Sequence, residues 1–408
     1  MGQIVETKPD EVGLSSQRLG RIRPWMEQLV ADNKLPGALA VVARHGRAAY
    51  ADCVGYRDVA ARIPVSEDTI YRIYSMTKPI TSAAIMMLYE DGKFQLDDPI
   101  SRYLPMFKDV RVYAGGGPDS YDTVPAKSPI TFKQLLTHTS GLTYGFTGSP
   151  VSAIYQAAKF DFQTEKATLW QMMERLAKLP LLAQPGTEWN YSVSTDVLGA
   201  LVETMSGIGF DKFLETRLFH PLGMRDTGFH IREDQRSRFA ANYQKEEKGG
   251  MRLIDEPKTS RYLQPEPLCS GGGGLVSTAG DYLRFCKMIA GKGQLDGVRI
   301  LGRKTVEFMR LNHLQSGGDL QSMGMPRFSE STMAGIGFGL GFAVVLDPAK
   351  AELLCSPGEH YWGGAASTAF WIDPQEDLIA ILMTQLMPSS SYPIRRELRT
   401  LVNQAIVD

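Results

Sequence analysis

The stretch that most constrains this chain is Tyr74-Ser75-Met76-Thr77-Lys78-Pro79-Ile80, which opens the apolar run Thr81-Ser82-Ala83-Ala84-Ile85-Met86-Met87-Leu88. Helix formers at helical spacing, ending at Asp91-Gly92, predict a helix with Ser75 at its entrance. Lys78 then shares a helix face with Ser75, close enough for its amine to take the seryl proton. The first amides of that helix favour negative charge at the same point, as acyl transfer requires. Pro79 is tolerated there because it falls within the first turn. Taken alone, S-x-x-K also fits a capped surface helix with a solvated lysine. This is the only such match in the chain, and it follows the strand-like Thr69-Ile70-Tyr71-Arg72-Ile73-Tyr74.

At 408 residues, 43% hydrophobic and 22% charged, the chain can bury one large core or two. Its 44 Lys plus Arg against 45 Asp plus Glu leave no electrostatic footprint for nucleic acid. Met1-Gly2-Gln3-Ile4-Val5-Glu6-Thr7 has no apolar signal region, and nowhere do about 18 apolar residues run together. A cytoplasmic protein without a membrane partner is expected. The four cysteines (Cys53, Cys269, Cys286, Cys355) form no C-x-x-C pair and read as free thiols. The six histidines show no H-E-x-x-H, so neither a metal nor another cofactor is expected.

Apolar periodicity predicts a helix between Ser15 and Asn33, then a β-hairpin, Ala38 to Arg44 and Arg47 to Val54, turned at His45-Gly46. Val112 to Ser128, rich in Gly, Pro, Asp and Ser, reads as a surface excursion. From Ile130 to about Phe239 helical periodicity dominates, and the charged stretch Glu246 to Pro267 reads as a loop or flap. Ser270-Gly271-Gly272-Gly273-Gly274 lacks the Gly-Lys-Ser/Thr of a phosphate loop; its glycines suit backbone passing close beside a cleft. Strand patterns return at Phe338 to Leu346, Thr368 to Ile372 and Leu378 to Met383, before a helix near Ile394 to Val407. The expected fold is α+β: an antiparallel sheet flanked by helices. Residues 1–110 and 268–408 would form one discontinuous sheet domain around a mostly helical inserted domain, 111–267.

Several stretches occur in a fixed order: Ser75-Met76-Thr77-Lys78, Leu135-Leu136-Thr137-His138-Thr139-Ser140-Gly141-Leu142 and Pro185-Gly186-Thr187-Glu188-Trp189-Asn190-Tyr191-Ser192. His220-Pro221-Leu222-Gly223-Met224, Ser270 to Ala279 and Trp362-Gly363-Gly364 complete the set. In these the chain resembles the serine β-lactamase and penicillin-binding-protein superfamily, on the class C-like branch that holds the family VIII carboxylesterases. The resemblance implies Ser75 as acyl-forming nucleophile, Lys78 as its proton acceptor and Tyr191 as the tyrosine that relays the proton to the leaving group. It implies an oxyanion hole from the backbone amides of Ser75 and Ala365.

Two departures narrow the chemistry. Trp362-Gly363-Gly364 stands where β-lactamases and carboxypeptidases usually carry Lys-Thr-Gly or His-Thr-Gly, so an apolar wall replaces a cation that would hold a substrate carboxylate. Val193 stands where the family commonly has Asn, removing an amide that would bind an acylamino group. Trp362, Gly363, Gly364, Val193 and Tyr144, the last as a wall of the acyl pocket, are the expected substrate-binding residues. The leading expectation is a serine carboxylesterase acting on small uncharged esters through an acyl-Ser75 intermediate, with room for weak β-lactam hydrolysis. The alternatives are an acyltransferase using an alcohol acceptor, a β-lactamase or D-amino-acid peptidase, and a non-catalytic binding protein on this fold. The oligomeric state is left open.

Overall fold

The computed structural model describes residues 3–162, 166–264, 268–325, 327–328 and 330–408. Met1-Gly2 and residues 265–267, the end of the expected flap, lie outside the described residues.

Both ends of the chain build one eight-stranded antiparallel sheet. Its strands are β1 (Gly37–Arg44), β2 (Arg47–Asp58), β3 (Ile63–Pro64), β4 (Ile336–Phe338), β5 (Ala343–Val345), β6 (His360–Gly363), β7 (Ala369–Asp373) and β8 (Leu378–Met383). Their spatial order is β4-β5-β6-β7-β8-β1-β2-β3. The β1–β2 turn is the two residues His45 and Gly46, at φ +52° and +72°. Two consecutive positive φ angles match the right-handed twist of the strands. The expected single strand from Phe338 to Leu346 is instead two, β4 and β5, because Gly341 turns the chain at φ +101°.

Alternation along β1 explains why nearly every residue in it is apolar. Leu39, Val41 and Ala43 face the core that holds the long helix α2 (Thr77–Glu90). Ala38, Ala40 and Val42 face the opposite core, with Ile22, Met26 and Leu29 of α1 (Ile22–Ala31) and Ile394, Leu398 and Val402 of α5 (Ile394–Asn403). Helices therefore cover both faces of the sheet. The middle of the chain supplies helix α3 (Ser194–Ser206), which packs on α2, and the shorter helices Phe132–Leu136, Pro150–Ala157, Leu169–Leu176 and Phe210–Leu214.

Two segments differ from expectation. The excursion after Val110 is a hairpin, Arg111–Gly117 with Ser120–Pro125, kept at the surface by its glycines and polar residues. The charged segment from Glu246 is not a free flap over its described length. Met251–Asp255 pairs with Asn242–Lys245, which pairs in turn with Leu386–Met387. The Asp255 carboxylate closes it at 2.6 Å on Arg72, a guanidinium fully buried beside the Ala240 carbonyl and the ring of Phe239. A buried guanidinium left without this partner would cost several kcal/mol, and the hairpin is held as well by Tyr243, buried in the same core as Leu386, with Met251 packed against it.

Helix α4 (Ala279–Ala290) packs on β8, and its Tyr282 hydroxyl donates to the Met76 carbonyl at 3.0 Å. At its first turn, Asp281 accepts from the Asp226 amide (2.7 Å) and the Thr227 hydroxyl (2.9 Å). Burial pushes the Asp281 carboxyl up to about 6, above its ordinary 3.8. The folded protein therefore holds this proton at pH values where the unfolded chain has lost it. The resulting stabilisation is full below pH 3.8 and is lost as pH rises through about 6. Asp281→Asn should remove about 2–3 kcal/mol of this pH dependence. Denaturant unfolding at pH 4 and pH 7 checks this, and an unchanged pH slope would contradict it.

Candidate active site

Ser75 sits in a single 3₁₀ turn, Tyr74–Met76, that leads into α2. The residue before it, Tyr74, is held at φ +42°, a conformation that costs a bulky side chain on the order of 1–3 kcal/mol. Its hydroxyl is pinned by the Asn242 side chain at 3.0 Å. Pro79 is the third residue of α2, within the first turn as expected.

Lys78 is 2% exposed, and its amine makes three contacts: Ser75 Oγ at 3.2 Å, Tyr144 Oη at 2.9 Å and the Gly272 carbonyl at 2.7 Å. It also lies 4.5 Å from the centre of the Tyr191 ring. Tyr191 Oη is 2.5 Å from Ser75 Oγ. The structure thus brings Ser75, Lys78 and Tyr191 together across 116 residues of sequence. Tyr144, expected as a pocket wall, does line the cavity, but its hydroxyl is bonded directly to the lysine. Burial, with the neighbouring Asp196 carboxyl adding to it, raises the Tyr144 phenol well above its ordinary value, so Tyr144 stays neutral.

Two residues that the sequence reading did not single out hold this centre. Asp196, in the first turn of α3 and 1% exposed, accepts from the Ser270 hydroxyl at 2.5 Å and the Gly272 amide at 3.0 Å. The same Gly272 peptide offers its carbonyl to Lys78. Burial raises the Asp196 carboxyl above its ordinary value, against the opposing pull of the Ser270 hydrogen bond and the Lys78 charge. A visible signal was available: Asp196 is the one carboxylate between Tyr191 and the apolar run Val197-Leu198-Gly199-Ala200-Leu201-Val202. The glycine run is explained by proximity. A Cβ on Gly271 would lie 2.6 Å from the Thr195 carbonyl; on Gly272 it would meet Asp196 Oδ2 and lie 2.8 Å from Tyr144 Oη. The second is His138, fully buried, with Nδ1 3.0 Å from Ser192 Oγ and its ring against Tyr191 and Trp189. Burial and the Lys78 charge lower it well below its ordinary value, so it packs the tyrosine loop as a neutral ring.

A cavity of about 750 Å³ opens onto Ser75. Tyr144, Tyr191, Val193, Trp362, Gly363, Gly364 and Ala365 all line it, as do Phe146, Phe160, Phe162 and Phe328. Trp362 stacks on Phe328 at 5.6 Å and tilts against Tyr191 at the same separation, so this wall of the cavity is aromatic. Gly364 must be glycine, since a Cβ there would strike the Ile73 carbonyl, two residues before Ser75. Among the described residues no group of three metal-ligating side chains converges, and no helix is long and apolar enough to cross a membrane.

This fold, with its esterase and acyl-transferring relatives, defines a serine hydrolase or an acyl-transferring enzyme. The Beta-lactamase family model matches residues 22–404, and the chain belongs to that family, on the branch with the family VIII esterases. It is 39% identical over 362 residues to Protein Rv1367c of Mycobacterium tuberculosis (strain ATCC 25618 / H37Rv), covering 88% of this chain and 87% of that protein. It is 31% identical over 380 residues to Esterase EstB of Burkholderia gladioli, covering 89% of each. Among solved structures, EstCE1, a hydrolase with promiscuous acyltransferase activity, matches with a TM-score of 0.79 at 28% identity, over 95% of this chain and 99% of that one.

The packing around Gly272 is directly testable. Gly272→Ala should displace Asp196 or Tyr144 and lower stability by about 1–3 kcal/mol. Chemical denaturation measures it, and wild-type stability would mean that the three groups are not in contact.

Proposed function

We propose that the protein is a serine carboxylesterase that cleaves small uncharged esters through an acyl-Ser75 intermediate. The observation that carries this reading is the placement of the Lys78 amine. Gly272 O and Tyr144 Oη take two of its hydrogen positions, and the third points at Ser75 Oγ. When the amine is neutral, its lone pair faces the seryl hydroxyl. Lys78 then accepts the proton as Oγ bonds to the ester carbonyl carbon, and the carbonyl electrons move onto oxygen. The amides of Ser75 and Ala365 receive that oxyanion; among the described residues, the Ala365 amide has no acceptor of its own. As the C–O bond breaks, the alkoxide takes a proton through Tyr191, whose hydroxyl lies against Oγ. Water enters by the reverse route, and the acid leaves.

The aromatic wall supports uncharged substrates, and so does the occupation of the nearby cations. Arg399 is paired with Glu359 at 2.9 Å, and Arg395 is bonded to the Gly364 and Thr368 carbonyls. Val193, buried at the head of α3, offers no amide to an acylamino group. Acyl transfer to an alcohol is the second reading, favoured by the likeness to EstCE1, whose description includes that activity. The same proposal divides the chain into a discontinuous sheet unit, 1–110 and 268–408, around an insertion at 111–267. Strands from 37–64 and 336–383 sharing one sheet support that division.

Ser75→Ala should lower kcat by about 10³–10⁶ on a p-nitrophenyl ester. Near wild-type turnover in a pure sample would overturn the assignment. Product analysis with an alcohol present separates the two readings: free acid as the main product supports hydrolysis, and a new ester supports transfer.

A further inference from the structure

A backbone amide stabilises an oxyanion well only if its direction is fixed before the charge develops. The Ala365 amide belongs to the turn between β6 and β7. That turn is closed by Gly364 N–H to the Thr368 carbonyl at 2.9 Å and Ser367 N–H to the Gly364 carbonyl at 3.1 Å. Ser367 sits at φ +69°, so the turn carries strain that something must offset. Both framing carbonyls receive a second hydrogen bond from one atom: Arg395 Nη2 donates to Gly364 O at 2.8 Å and to Thr368 O at 2.9 Å.

Arg395 reaches the turn from the second residue of α5. Its Nη2 lies 2.6 Å from where a Cβ on Gly363 would stand, so the guanidinium fills the space this glycine leaves. The two glycines of Trp362-Gly363-Gly364 thus have separate reasons. Gly363 admits Arg395, and Gly364 admits the Ile73 carbonyl. Glu330, whose side chain is 5% exposed, lies 3.8 Å from Arg395 Nε and balances the charge. Both bonds come from the two hydrogens of one terminal nitrogen, whose directions the planar guanidinium fixes, whereas a lysine ammonium turns freely on its stem.

We infer that Arg395 is a positioning residue for acyl transfer: it locks the Gly364–Thr368 turn so that the Ala365 amide faces the carbonyl oxygen attacked by Ser75. The inference rests on the proposed role of Ala365 as the second oxyanion donor. Arg395 itself touches no reacting atom. Its loss should therefore weaken the transition state and leave ground-state binding nearly unchanged.

The test compares a p-nitrophenyl ester with its thiono analogue, in which sulfur, a poor hydrogen-bond acceptor, replaces the carbonyl oxygen. The enzymes are wild type, Arg395→Gln and Arg395→Lys, each checked for folding by its unfolding midpoint. For Arg395→Gln we expect kcat on the oxygen ester to fall about 10–100-fold with KM within about threefold. The oxygen-to-thiono ratio of kcat/KM should fall about tenfold. Arg395→Lys keeps the charge facing Glu330 and should fall between, which covers the case in which the glutamine variant does not fold. Equal losses on both esters, with the ratio preserved, would overturn the positioning role while leaving Ser75 and Ala365 in place. A wild-type ratio no larger than that of uncatalysed hydrolysis would overturn the oxyanion reading itself, and this inference with it.

Discussion

A lysine can act on a neighbouring serine only if the orientation of its amine is settled, and the molecule is arranged around that requirement. Lys78 is buried under the Ser75 turn with the Gly272 carbonyl and the Tyr144 hydroxyl on two sides, leaving one direction, toward Oγ. Those two partners come from opposite parts of the chain. Tyr144 follows the Ser140-Gly141 turn, while Gly272 belongs to the glycine run that passes α3. Asp196 fixes the latter by accepting from both Ser270 and Gly272. The geometry of one amine therefore depends on the packing of α2, α3 and the glycine run together.

The sheet supplies the other side of the cavity. Because both its faces are covered by helices, its central strands are apolar on both sides and leave little freedom where the end of β6 runs past Ser75. Gly364 brings the end of that strand against the Ile73 carbonyl, which sets the separation between the Ala365 amide and the serine turn. Trp362 closes the same side with an aromatic face. The proposed substrate preference and the proposed oxyanion hole thus rest on adjacent residues of one strand and its turn.

Much of this was legible in the sequence where the signal is local. The Ser75/Lys78 spacing is a helix-face property, the His45-Gly46 turn is a two-residue signature, and Leu378–Met383 is a strand with the bounds its apolar run suggests. Tyr191 and Trp362 were reachable only through neighbouring residues, since neither stands out among its kind by periodicity. Asp196 and Arg395 were not read, because each acts through backbone that is distant in sequence: Asp196 meets Gly272 across 76 residues, and Arg395 meets Gly364 across 31. The two hairpins were missed for a different reason. Arg111–Pro125 is mostly exposed and glycine-rich, and Asn242–Asp255 buries Tyr243 among polar and charged neighbours that include the Arg72–Asp255 pair, so neither shows apolar alternation.

The most direct test of the central claim is the intact mass of the protein within the first moments of mixing with a p-nitrophenyl acyl ester, wild type beside Ser75→Ala. A serine-reactive phosphonate serves as the second reagent if deacylation outruns trapping. The account predicts an adduct of one acyl or phosphonyl group on the wild type, mapped to the peptide bearing Ser75 and missing from the variant. An adduct on another residue, or turnover and labelling that survive in Ser75→Ala, would contradict it.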